Sequence, residues 1–223
     1  FGITSLVLPP ESDEHLAKVQ IGYTASLIHE RGTLKVNGAI IPSSFVLDPN
    51  CHLSGGFNFY AWFKDQPVGA RAGDFVVTIG GYFPGYKPKK WYPVPPRIRM
   101  HWQVDSNLLI KAYGYFALTP NAMMAGGDLS ANFNAGGDHW SVNASFNVGA
   151  DFIMYWKPFH YYGHVYASFN ITGTVHMLFS KSVHFDGSAD MVLHGPKFSG
   201  HARVKLHILF TFHVSVSWGS DHS

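Results

Sequence analysis

From Trp140 onward the chain alternates apolar and polar side chains over stretches longer than ordinary strands. Val142, Ala144, Phe146 and Val148 are apolar, and Ser141, Asn143, Ser145 and Asn147 between them are polar. From Phe198 to Val216 the even positions run from Gly200 through Ala202, Val204, Leu206, Ile208, Phe210, Phe212 and Val214 to Val216. The odd positions there include His201, Arg203, Lys205, His207, Thr211 and His213. A period of two sends successive side chains to opposite faces of a strand, so such strands carry one apolar face. The pattern predicts an all-β fold, an extended antiparallel meander sheet, sandwich- or barrel-like, with minimal helix. Phe146, Phe169, Val204, Leu206, Ile208 and Phe210 are expected to lie on a buried face. Read as one strand, Phe198 to Trp218 would extend on the order of 65 Å at ~3.3 Å per residue. Gly149, Gly163, Gly173 and Gly187 are therefore expected bend points.

Turn signals divide the rest. Residues 1–8 read as a short strand stopped by Pro9 and Pro10, and Glu11 to Lys18 reads as a helical turn capped by Ser12 or as a solvated loop. Val19–Ile28 and Leu34–Ile41 flank Glu30-Arg31-Gly32-Thr33 as a hairpin. Strands are expected at 56–63, 74–79, 98–104 and 108–118. The segment 80–96 cannot be a central strand, because Pro84, Pro88, Pro93, Pro95 and Pro96 lack the N–H that a ladder needs. Thr119-Pro120 with Gly126 predicts a short helical turn. Beyond it the strands 129–134, 139–156, 159–179, 183–193 and 198–218 are broken at Ala135–Asp138, Lys157-Pro158, Ser180–Ser182 and Gly195–Lys197. Residues 1–72 form an N-terminal β-hairpin region, and 73–223 form a β-meander domain with a Pro-rich basic-aromatic loop at 82–99, expected to be continuous with it.

Aromatics make up 16% of the chain and charged residues 13%, about half the usual charged share. A surface so poor in charge is expected to be covered by a partner, more chain or a membrane. The net charge of +2 argues against nucleic acid. Cys51 stands alone, which excludes a disulfide framework and makes it a small buried hydrophobe. The start at Phe1 has neither the charge nor the cleavage site of a signal peptide, so the chain is expected to be a processed product or a fragment. The expected setting is secreted or extracellular.

The loop from Tyr82 to Arg99 is the sharpest candidate site. Tyr86, Lys89, Lys90, Trp91, Tyr92, Arg97 and Arg99 gather cations and aromatics, and no acid occurs between Asp74 and Asp105. Charge plus stacking suits an anionic surface or a polysaccharide. The competing reading is a rigid cover over a sheet end, with aromatics inward and lysine heads in water. The fourteen histidines include His160 and His164 on one strand face and His201, His207 and His213 on another. Their spacings of about 13 and 20 Å do not build a metal site without neighbouring strands. No nucleophile elbow, phosphate loop or dinucleotide fingerprint is present. Scattered aspartates, among them Asp128, Asp151, Asp186 and Asp190, leave glycoside chemistry open, though turn formation is the simpler role. Asn143-Ala144-Ser145 and Asn170-Ile171-Thr172 fit the glycosylation pattern.

Five stretches resemble an uncharacterised β-rich family of large bacterial and fungal proteins, a domain of unknown function. They are GDFVVTIGGYFPGYKP (73–88), WYPVPPRIRMHWQV (91–104), YFALTPNAMMAGGDLSANF (115–133), ADFIMYWKPFHY (150–161) and LHGPKFSG (193–200). The resemblance implies a β module within a longer protein and supplies no activity or catalytic residue.

These readings lead to a non-enzymatic structural or interaction module without cofactor or metal, whose partner is another protein chain or further domains of the same protein. The alternative is a membrane-active or lipid- or glycan-binding β protein, and a hydrolase comes third. Far-UV circular dichroism is expected to show a strand spectrum; helix above roughly a quarter of the residues would contradict the fold class.

Overall fold

The computed structural model describes residues 1–8, 16–67, 69–208 and 210–219, and among these there is no helix. Fifteen strands join one antiparallel sheet. The first nine are β1 (Gly2–Leu8), β2 (Ala17–Ile28), β3 (Thr33–Ile40), β4 (Phe45–Val46), β5 (Asp48–Ser54), β6 (Gly56–Trp62), β7 (Phe75–Ile79), β8 (Ile98–Gln103) and β9 (Leu108–Leu118). Six longer or hairpin-linked strands follow: β10 (Ala122–Gly137), β11 (Trp140–Trp156), β12 (Phe159–His176), β13 (Ser180–Gly195), β14 (Ser199–His207) and β15 (Thr211–Trp218). From β9 to β15 each strand pairs with the next, so this part is a meander with β15 at its edge.

The N-terminal part is more complex. One edge of β9 pairs with β10, and the other is shared between β7, at 116–118, and β8, at 109–114. From there two limbs run, β7–β6–β3 and β8–β5–β4, and both end on the same edge of β2. The limbs part at glycines. Gly80 has φ +70°, and a Cβ there would meet the Gly114 carbonyl and the Ile98 amide, so no other residue fits. Its amide donates to the Gly56 carbonyl at 2.8 Å, and the Gly56 amide donates to Pro96 at 3.2 Å. Here the Pro-rich segment leaves the sheet.

Several expectations need correction. Thr119 opens a tight hairpin turn rather than a helical one. Its amide donates to the Ala122 carbonyl at 2.9 Å, and its hydroxyl accepts from the Ala122 amide at 3.0 Å. Met123 to Gly126 have strand partners on both sides, β9 and β11, which a helix would forfeit. The run 198–218 is two paired strands, β14 ending at His207 and β15 beginning at Thr211. Leu206 lies opposite Phe212, so the pairing preserves parity and the run looks continuous in sequence. Gly137 and Ser180 lie inside strands, because cross-strand pairing extends β10 and β13 beyond their turn-like residues. β4 and β5 carry no alternation that would have revealed them. Glu11 to His15 lie outside the described residues, and Lys18 belongs to β2.

The expected bend glycines carry no bulge or break in pairing. Pairing runs unbroken through Gly149, Gly163, Gly173 and Gly187. Glycine instead answers an aromatic ring on the adjacent strand. Gly38 faces Phe57, Gly126 faces Tyr115, Gly149 faces Tyr166, Gly187 faces Phe169 and Gly195 faces Tyr161. A Cβ on any of the five would come closer than 3.0 Å to its partner's ring. The ring thus covers backbone that glycine leaves bare.

The buried core also lies on the face opposite to the expected one. Trp62, Val76, Tyr82, Tyr92, Tyr115, Ala117, Met124 and Ile153 form it, where segment 80–97 packs over the ends of β9, β10 and β11. Phe146, Val204, Ile208 and Phe210 are exposed, Phe210 at 72%, and Phe169 and Leu206 are half-buried. Alternation identifies an apolar face, but burial requires a second layer, and none covers this one among the described residues.

Two glycines separate crowding from backbone preference. Gly126→Ala would press on the Tyr115 ring and on the Ala150 carbonyl at 2.6 Å, while a Cβ at Gly173 meets nothing within 4 Å. Thermal unfolding is expected to show Gly126→Ala destabilised by about 1–3 kcal/mol. Gly173→Ala is expected to be neutral or slightly stabilised. Equal effects would contradict the packing account.

Candidate functional site

Asp74, immediately before β7, organises the Pro-rich segment. Its carboxylate is buried and accepts from the Tyr92 hydroxyl at 2.5 Å, the Trp91 indole at 3.0 Å and the Lys89 ammonium at 3.0 Å. Burial pushes this carboxyl up, but the three donors and the Lys89 charge outweigh it and hold it below its ordinary value. Lys89 also lies over the rings of Trp91 and Tyr92, at 5.5 and 5.2 Å. The Tyr82 hydroxyl donates to the Pro93 carbonyl at 2.5 Å, and the Tyr82 and Tyr86 rings lie 5.4 Å apart.

The expected binding residues therefore divide. Tyr92 is buried, Tyr86 and Trp91 are half-buried, and Lys89 is paired with Asp74. Arg97 lies 4.2 Å above the Tyr115 ring and donates to the Gly80 carbonyl at 3.2 Å. Lys87, Lys90 and Arg99 are exposed, with Arg99 on β8 over the Tyr113 ring at 5.6 Å. Most of these cations and aromatics hold the segment to the sheet.

Beside this cover, the polar face of the meander gathers carboxylates and histidines that the sequence shows only as scattered. The Tyr115 hydroxyl donates to Asp151 at 2.6 Å. Burial and the neighbouring Asp151 charge raise the Asp128 carboxyl, against the pull of Arg97. Asp151 also lines a cavity of about 390 Å³ with Phe83, Pro84, Ile153, Tyr162 and His164. Further along, Asp190 pairs with His164 and, at 3.9 Å, with His201; Asp186 pairs with His184 and His207, each at 3.3 Å. These residues meet because β12, β13 and β14 are adjacent, and their shared strand parity was the available signal. Among the described residues no group of three or more His, Cys, Asp or Glu forms a metal-holding arrangement.

The opposite face is apolar throughout. It carries Phe116, Leu129, Phe146, Phe152, Phe169, Val183 and Val214 with many alanines and glycines between them, and Lys181 is its single charged side chain among the described residues of β9–β15. At its end, between β12 and β13, Met177, Leu178 and Phe179 form an exposed apolar tip. Beneath the tip lies a cavity of about 710 Å³.

A family profile described as a family of unknown function, DUF6603, matches residues 1–223. The chain belongs to that family. Comparison with curated proteins and with solved structures gives no match. The DUF6603 match extends beyond the five stretches at 73–200, taking in the two limbs around β2 to β6 as well as the meander.

Asp74 offers a measurable test in this DUF6603 chain. A carboxyl lowered by folding contributes stability above its unfolded value, near 3.9, and loses it as pH falls through the lower folded value. Asp74→Asn turns an amide donor toward groups that already donate, so a cost of about 3 kcal/mol is expected at neutral pH. Urea unfolding between pH 7 and 2 is expected to show a smaller acid loss in the variant than in the wild type. Identical curves would remove Asp74 from this role.

Proposed function

We propose that this chain is a non-enzymatic β module of a larger protein or assembly, and that it works by burying the apolar face of β9–β15 against a second polypeptide sheet. The carrying observation is a face with one charged residue and no covering layer among the described residues. At ~4.8 Å between strands and ~3.3 Å per residue, that face spans on the order of 1,500 Å². A stable interface needs about 800 Å² per partner, and the largest apolar patch of a monomer is usually about 300–600 Å². Packed sheets stand about 10 Å apart with interdigitated side chains, an arrangement suited to rows of Phe and Val separated by Ala and Gly. The Pro-rich segment offers less, because Asp74, Gly80 and Tyr115 already engage Lys89 and Arg97. Lys87, Lys90 and Arg99 remain the groups for salt-sensitive contact with an anionic surface or glycan.

A second reading, lipid binding, is favoured by one feature. The tip Met177-Leu178-Phe179 exposes three consecutive apolar side chains by more than four-fifths each, above an apolar cavity. Apolar projections of this kind suit acyl chains better than a flat protein partner does.

Light scattering across a concentration series tests the first reading. The wild-type chain is expected to self-associate and to bind an apolar dye. A Phe146→Ser/Ile171→Ser/Val204→Ser variant is expected to keep the strand spectrum, stay monomeric and bind less dye. A wild type that is monomeric throughout and silent to the dye would overturn the proposal.

A further inference from the structure

The cavity under the β12–β13 tip is lined by two cross-strand rows of the sheet and by the tip itself. Cross-strand register places Trp140, Val175 and Lys181 in one row over β11, β12 and β13, and Val142, Gly173 and Val183 in the next. Gly173 is the floor, because a Cβ there would meet nothing within 4 Å. On the same face Gly187 and Gly195 lie under the rings of Phe169 and Tyr161, and Gly163 lies against Phe152. The space that an aromatic ring fills at those glycines is left open at Gly173. Trp140, Val142, Val175 and Val183 line it from the strands, and Met177 and Phe179 line it from the tip. The volume of about 710 Å³ lies within the range of small-molecule sites.

Lys181 lines this cavity. It is exposed and makes no ion pair among the described residues. An apolar trough whose lining includes one exposed cation, Lys181, matches a ligand with a long apolar body and one anionic end. We propose that this is a binding site for a single-chain anionic lipid, a long-chain carboxylate, with its head on Lys181 and its chain along Val142, Gly173 and Val183 beneath Trp140 and Phe179. The apolar body supplies affinity through buried area, and the charged hydrogen bond from Lys181 fixes the direction of entry. The proposal rests on and deepens the lipid reading; its site occupies the tip end of the face that the protein-interface reading would bury, and light scattering tests that other reading by itself.

Oleate below its micellar concentration is the probe, followed by calorimetry and tryptophan fluorescence on the full chain, with oleyl alcohol as the uncharged match. One saturable oleate site is expected. Lys181→Glu is expected to weaken oleate at least about tenfold, the scale of a lost hydrogen bond to a charged group, and to leave oleyl alcohol unchanged. Gly173→Leu fills the floor and is expected to abolish both ligands with the strand spectrum retained; Val142→Phe, filling the trough from the adjacent strand, serves if Gly173→Leu does not fold. No saturable binding, or oleate binding indifferent to the floor-filling variant, would overturn the site. So would oleate binding that Lys181→Glu leaves intact. Adsorption to phosphatidylglycerol vesicles that survives Gly173→Leu, without oleate binding, would assign the tip to a membrane surface and equally overturn it.

Discussion

Unbroken antiparallel register from β9 to β15 assigns every side chain of the meander to a face. Each pairing conserves parity, so the alternation of one strand adds to that of its neighbours, and two surfaces of opposite character result. A one-residue slip anywhere would put Ser, Asn and His beside Phe and Val across the rest of the sheet. The Gly–aromatic pairs resist such a slip. Each ring needs bare backbone directly opposite, and Gly149 with Tyr166 or Gly187 with Phe169 satisfies that need in one register alone.

The second organising element is the Asp74 carboxylate. It collects three donors from the segment 89–92 and so ties a proline-stiffened cover to β7. Beneath the cover, at the ends of β9, β10 and β11, the polar face turns apolar with Tyr115, Ala117, Met124 and Ile153, and there the core forms. The molecule thus buries a small area of its mostly polar face and leaves the extended apolar face uncovered among the described residues. That inversion directs the functional reading toward the apolar face and away from the basic segment.

Glycine has two uses on this sheet. Under an aromatic ring it tightens packing, and at Gly173, with no ring above it, the same absence of a side chain opens a trough. The trough is placed where the apolar face carries Lys181.

Strand alternation by itself determined the all-β class and the membership of each face, because a period of two is a local property of extended backbone, and the short connections after residue 126 determined antiparallel neighbours, because a parallel pair needs a long crossover. Prolines likewise kept 80–96 out of the sheet, since each removes a ladder donor. What the tertiary structure decided is which face is covered, since burial depends on a second layer that periodicity does not encode. It also decided that 198–218 is two paired strands, because the register of β14 on β15 leaves parity intact, and that Lys89 and Arg97 serve the cover, because their partners Asp74 and Tyr115 arrive from elsewhere in the chain. The meetings of Asp190 with His164 and His201, and of Gly173 with Lys181 and Trp140, belong to the same class. They depend on strands brought side by side, and the distance along the chain between such residues says nothing of the roughly 5 Å that separates adjacent strands.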